Sequence, residues 1–153
     1  MRIRSLVTLF LAGCATAVLA QTSGPTRGTP AEAQGLLTRA IAHYEKAGRA
    51  QALADFTAKK APFADRDLYV FCFGTDRTVT AHGADRSQVG TNIDTLKDVD
   101  GKAFGTELWT TGNKPGGGSV EYRWTNPATK QVEPKVSFVR KVGSEVCGVG
   151  AYK

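Results

Sequence analysis

The chain has 153 residues, 41% of them hydrophobic and 22% charged, which suits one domain built around one core. A formal charge of +6, with no run of Lys and Arg interleaved with aromatics, excludes a nucleic-acid footprint, and three cysteines are too few for a disulfide-dense scaffold.

Arg2 and Arg4 open the chain, Leu6 to Leu19 is an apolar run, and Val18-Leu19-Ala20 ends it in small-residue cleavage chemistry. Residues 1–20 therefore read as an export signal, with Gln21 as the expected mature N-terminus. Losing Arg2 and Arg4 leaves 18 of the 20 basic residues against 14 acidic ones, a mild excess of +4. Leu11-Ala12-Gly13-Cys14 offers a competing reading, a lipobox whose cysteine would be acylated. The two exclude each other, and the apolar continuation from Ala15 to Ala20 favours simple cleavage into a periplasmic or secreted product. No other segment approaches the roughly 20 apolar residues that cross a bilayer.

Residues 21–28, rich in Thr, Ser, Gly and Pro, read as a flexible linker, and residues 29–153 as a single domain. Thr29-Pro30-Ala31-Glu32 is a capping box with proline at the first helical position. Ala33, Leu37, Ala40, Ile41, Tyr44 and Ala47 recur at helical spacing until Gly48. A shorter amphipathic piece with Ala50, Leu53 and Ala54 on one face runs towards Pro62. His43, beside the apolar stripe, reads as a surface or partly buried helix residue.

Leu68 to Phe73 is a run of aromatic and β-branched residues, and Thr78 to His82 resumes it after Gly74-Thr75-Asp76, which makes a hairpin. Strict alternation puts Thr78, Thr80 and His82 on one face, and Val79 and Ala81 on the other. Asp98-Val99-Asp100-Gly101 has no register that supplies an EF-hand's ligands, so it reads as a turn held by Asx hydrogen bonds. Ala103 to Thr111 can form a helix burying Phe104 and Leu108, and Lys114-Pro115-Gly116-Gly117-Gly118 breaks it.

Val120 to Thr125 alternates cleanly: Val120, Tyr122 and Trp124 on one face, Glu121 and Arg123 on the other. Val132 to Lys141 is less regular, and Pro134 removes a ladder donor, which predicts a bulge or an edge. Glu145 to Tyr152 is the last strand, with Gly148 and Gly150 permitting close approach. The expected class is α+β, a long N-terminal helix on an antiparallel sheet of about five strands in two groups.

Neither a nucleophile elbow, a zinc spacing, a phosphate loop nor Cys-x-x-Cys-His occurs, so no catalytic, metal or cofactor residues are assigned. The order of elements, together with Asp67-Leu68-Tyr69-Val70-Phe71, Ala81-His82, Asp98-Val99-Asp100-Gly101-Lys102, Val120-Glu121-Tyr122-Arg123-Trp124, Asn126-Pro127, Glu133-Pro134-Lys135 and Val149-Gly150-Ala151-Tyr152, resembles the single Cache domain of type 2 over residues 31–153. The resemblance implies a PAS-like sheet that binds small organic molecules, often short carboxylates, in an extracellular sensory module. Such domains usually lie between two transmembrane helices, whereas this sequence stops at Lys153, so a membrane-bound partner would have to read it. A purely structural or partner-binding role is the alternative.

The expected ligand-binding residues are Tyr69, His82, Tyr122, Trp124 and Lys135. Lys135, taken as a mostly exposed strand lysine, pairs with Tyr122 or His82 on the ligand's carboxylate, and Trp124 walls the apolar side. In an oxidising compartment Cys72 and Cys147 are expected to form a disulfide, and the resemblance implies that the strands carrying them are neighbours.

Overall fold

A computed structural model describes residues 27–153. The expected signal, its cleavage after Ala20, the lipobox at Cys14 and most of the expected linker lie outside the described residues. The linker's last two residues are held: Gly28 is buried and donates its N–H to Asp67 Oδ1 at 2.6 Å, and Arg27 pairs with Glu133.

Helix α1 (Pro30–Ala47) starts at the predicted capping box, with Thr29 and Glu32 each accepting the other's backbone N–H. It buries Ala33, Leu36, Leu37, Ala40 and Tyr44, leaving Ile41 only partly covered and Ala47 exposed. Gly48, at φ 83°, turns the chain into α2 (Arg49–Thr57). That helix buries Ala52, Leu53 and Phe56, while Ala50 and Ala54 are exposed, so the expected face is rotated. Phe56 decides the rotation, since burying its ring instead of an alanine methyl is worth roughly 2 kcal/mol more. His43 is half-buried between the helices, with Nε2 2.9 Å from Asp55 Oδ2.

The strands are β1 (Ala64–Asp65), β2 (Leu68–Phe73), β3 (Val79–His82), β4 (Gly118–Thr125), β5 (Val132–Val142) and β6 (Glu145–Tyr152), with α3 (Phe104–Gly112) between β3 and β4. They form one antiparallel sheet in the order β1-β2-β6-β5-β4, and β3 pairs with β2 beside β1. The expected two groups are thus a single sheet, because β6 returns between β2 and β5 and hydrogen-bonds both. Pro134 makes neither a bulge nor an edge: β5 is interior and its register with β4 runs unbroken. Pro134 lies one residue beyond the last β6 pair, Lys135 with Tyr152, where no ladder donor is required.

Both faces of the sheet are covered. Leu68, Val70, Cys72, Cys147, Val149, Ala151, Val136 and Val142 pack against α1 and α2. Tyr69, Phe71, Phe73, Val120, Tyr122, Val139, Val146 and Tyr152 pack on the opposite side with Ile93, Phe104 and Leu108. Two-sided burial explains why β2, and β6 after Glu145, run without alternating charged residues. Cys72 and Cys147 stand opposite each other in the β2-β6 register and form the expected disulfide.

The outer edge of β4 is capped by the predicted Asx turn. Asp98 Oδ1 accepts the N–H groups of Asp100 and Lys102, its Oδ2 accepts the N–H of Arg123, and Lys102 Nζ donates to Glu121 O. Backbone groups that would offer an open edge are thereby occupied.

Candidate functional site

The site lies on the sheet face opposite α1 and α2. Antiparallel pairing sets Tyr122, Lys135 and Tyr152 side by side across β4, β5 and β6, so all three side chains rise from that face. Tyr69 and Phe71 join them from β2. The hairpin contributes His82, but not through simple alternation. A bulge between Cys72 and Phe73 leaves His82 opposite Phe71 and Val79 opposite Phe73, so Val79 shares the histidine's face. The expected row of Thr78, Thr80 and His82 is broken there: Thr80 Oγ instead donates to buried Glu145, which also pairs with Arg49.

Tyr69, Phe71, Phe73, Val79, His82 and Tyr122 line a cavity of about 20 Å³, closed over by Gln88, Leu96, Phe104, Leu108 and Trp124. That is room for about one water. Tyr69, His82, Gln88 and Trp124 also border an outer cleft of about 480 Å³, which continues past Asp85, Pro127 and Lys130. Phe104 stacks on Tyr122 at 4.3 Å between ring centroids and meets Trp124 edge-on at 5.0 Å, giving the cavity an aromatic wall.

Lys135 is the main departure from expectation. It is 1% exposed, and it is not among the cavity's lining residues, its amine ending instead between Tyr69 and Tyr152. Nζ is 2.8 Å from Tyr69 Oη and 3.4 Å from Tyr152 Oη, and 4.1 Å and 4.7 Å from the two ring centroids. No carboxylate forms a salt bridge with it among the described residues. Burial pulls the amine down to about 7, partly opposed by the charge of Asp67.

The lysine can lie flat because β6 carries glycine next to it. A Cβ on Gly150 would sit 2.1 Å from Lys135 Cε and 2.3 Å from Ser137 Oγ, and one on Gly148 would strike the Phe71 ring. Gly150→Ala is therefore expected to cost roughly 1 to 3 kcal/mol by overpacking, read as a lower urea midpoint. An unchanged midpoint would mean that Lys135 has another place to go.

The remaining polar groups are largely committed. Tyr122 Oη is 2.9 Å from Ser137 Oγ, and Tyr152 Oη donates to Thr125 O at 2.8 Å. Burial raises both phenols, and that of Tyr69, above their usual range. His82 Nδ1 accepts the N–H of Asp85 at 2.9 Å, which leaves Nε2 as the protonated nitrogen. Burial, reinforced by the charge of Lys135, holds the imidazole down to about 4, so it is neutral at pH 7.

Four of the five sequence candidates, Tyr69, His82, Tyr122 and Trp124, thus surround one cavity, and the amine of the fifth, Lys135, is 2.8 Å from Tyr69 Oη. Tyr152, Phe104, Gln88 and Leu96 were not among them. Alternation along β6 could have revealed Tyr152, which shares its face with the two glycines; Gln88 and Leu96 sit on turns without any periodic signal. Among the described residues no cluster of three His, Cys, Asp or Glu could hold a metal, and no helix is long and apolar enough to cross a membrane.

Solved structures share this architecture. A methyl-accepting chemotaxis protein from Vibrio parahaemolyticus superposes with a TM-score of 0.69 at 20% identity, over 80% of this chain and 86% of the other. A Cache chemosensory domain whose structure was described as the basis for carboxylic acid recognition gives 0.61 at 25% identity, over 80% and 86%. In sequence, the chain is 35% identical over 89 residues to the sensor histidine kinase MctS of Rhizobium johnstonii. That match takes in 57% of this chain and 19% of the kinase, so the chain spans about a fifth of that relative. The family model for single Cache domain 2 matches residues 27–152, nearly the whole of the described chain, and the chain belongs to the single Cache domain 2 family.

Proposed function

We propose that this is an exported sensory-type domain that binds a short organic acid. The observation that carries the reading is a buried amine with no carboxylate partner among the described residues, in contact with a tyrosine of an aromatic cavity that borders a cleft open to solvent. An anion is the ligand that such an amine lacks. The carboxylate meets Tyr69 and, through it or beside it, Lys135. His82 supplies its Nε2–H, a better donor than Tyr122, whose hydroxyl already faces Ser137. Trp124 and Phe104 wall the apolar end. The likeness to a Cache domain described for carboxylic acid recognition supports the same class. A membrane-bound kinase or chemoreceptor partner would read the bound state.

The cavity's size favours a second reading, a structural or partner-binding domain without a metabolite, because about 20 Å³ is too small even for acetate. Under the first reading Tyr69 or the covering Gln88 and Leu96 must move when the acid enters. A thermal-shift screen of C2 to C4 acids, amino acids and amines separates the two readings. At a hundredfold excess over Kd an acid is expected to add about 2.7 kcal/mol of stability, and a micromolar Kd suits so few heavy atoms. Lys135→Met, which keeps the buried volume, should abolish the shift. Hits confined to amines or neutral molecules would overturn the ligand class, and no saturable hit would favour the structural role.

A further inference from the structure

We infer that the site takes up a carboxylate and a proton together, with Lys135 as the proton's acceptor, so that occupancy is set jointly by acid concentration and pH. This rests on the organic-acid reading above and adds a stoichiometry to it. Nζ is held by phenol oxygens and ring faces alone, with no carboxylate in contact among the described residues. An ammonium has three N–H donors to satisfy, and Nζ has two phenol oxygens within reach, one of them at 3.4 Å. A neutral amine needs fewer acceptors and is served by its 2.8 Å contact with Tyr69 Oη, while Tyr152 donates to Thr125 O.

The groups facing Nζ from each neighbouring element leave it without a counter-charge. Tyr69 on β2, Tyr122 on β4 and Tyr152 on β6 are protonated phenols, and His82 on β3 is neutral. Asp67, just before β2, is the carboxylate whose charge Lys135 feels most, but its oxygens accept from Gly28 N–H and from Asn126 Nδ2. Asp85, beyond β3, is held by Ser87, and Glu133, on β5 itself, by Thr129, Asn126 and Arg27. A carboxylate arriving at Tyr69 supplies the missing charge, and a solvent proton moves onto Nζ to meet it. The amine's free position near 7 agrees with this. Below that pH the lysine is already charged and binding needs no proton; above it the complex holds one more proton than the free domain, so affinity falls as pH rises.

Calorimetric titration of the domain with propionate, in HEPES and in Tris, tests this through the difference in observed heats. About one proton taken up per propionate is expected near pH 8.5 and almost none near pH 6, with Kd rising by up to about tenfold per pH unit above 7.5. Propionate binding with a Kd that stays flat across this range and no proton uptake would overturn the inference and leave the organic-acid reading standing. Uptake kept in a Lys135→Met variant that still binds at raised propionate concentration would overturn the assignment to Lys135. Failure of every C2 to C4 acid to bind near pH 6 would overturn both.

Discussion

Replacing Cys72 and Cys147 together by alanine is expected to lower the unfolding free energy by roughly 4 kcal/mol, the loop-closure entropy for a bridge spanning 75 residues. The loop it closes contains β3, α3, β4 and β5, so without the bridge the unfolded chain regains freedom across most of the sheet. The folded state loses comparatively little. The two cysteines lie in β2 and β6, whose ladder runs from Val70 with Val149 to Phe73 with Val146, and both are buried against α1 and α2. The double variant should keep its far-ultraviolet circular dichroism while its melting temperature falls by about 15 °C for a domain of this size. Against a typical total of about 5 to 15 kcal/mol, the bridge is a large share of stability. Urea titrations of the oxidised protein and the variant decide it. A difference under about 1 kcal/mol would mean that the unfolded chain is already compact or that native strain offsets the entropy.

Raising the pH from 7 to 10 is expected to stabilise the unliganded domain, against the habit of most proteins, and Lys135→Met should remove most of that slope. In the folded state the amine sits near 7, below its ordinary value of 10.5. Between these values the unfolded chain binds the proton and the folded one does not, so the slope of stability against pH is positive. The gain is complete above the unfolded value and absent below the folded one, and the full shift corresponds to on the order of 5 kcal/mol as an upper bound. His82 acts in the same direction lower down. Its folded value near 4, against 6.5, means that stability falls as pH drops from about 6.5 to 4, when the unfolded histidine takes up a proton that the buried ring refuses. Chemical denaturation at intervals from pH 4 to 10 reads both steps. A curve for Lys135→Met parallel to the wild type above pH 7 would show that the lysine is charged in the fold.

Where the determinant is local, the amino-acid sequence by itself determined the structure. The α1 start follows from Thr29 and Glu32, two residues three apart that satisfy each other's backbone donors before any tertiary contact forms. The Asp98 turn, the buried pair Phe104 and Leu108 on α3, and the in-out alternation of Val120 to Trp124 are of the same kind. Pairing of Cys72 with Cys147 was also legible, because only two cysteines remain beyond the expected signal.

The tertiary structure decided what depends on residues far apart in the chain. Strand periodicity places Lys135 on a face but does not say whether that face is covered, and here α3 and the turns around Gln88 and Leu96 cover it. Its reach to Tyr69 depends on the missing side chain of Gly150, on the neighbouring strand, and on β6 lying between β5 and β2. The face of Val79 was set by a single bulge, which inverts a period-two pattern without any mark in composition. A residue's own neighbours choose its conformation, but its burial, and with it the charge state of Lys135 and His82, is chosen by whatever the completed sheet brings against it.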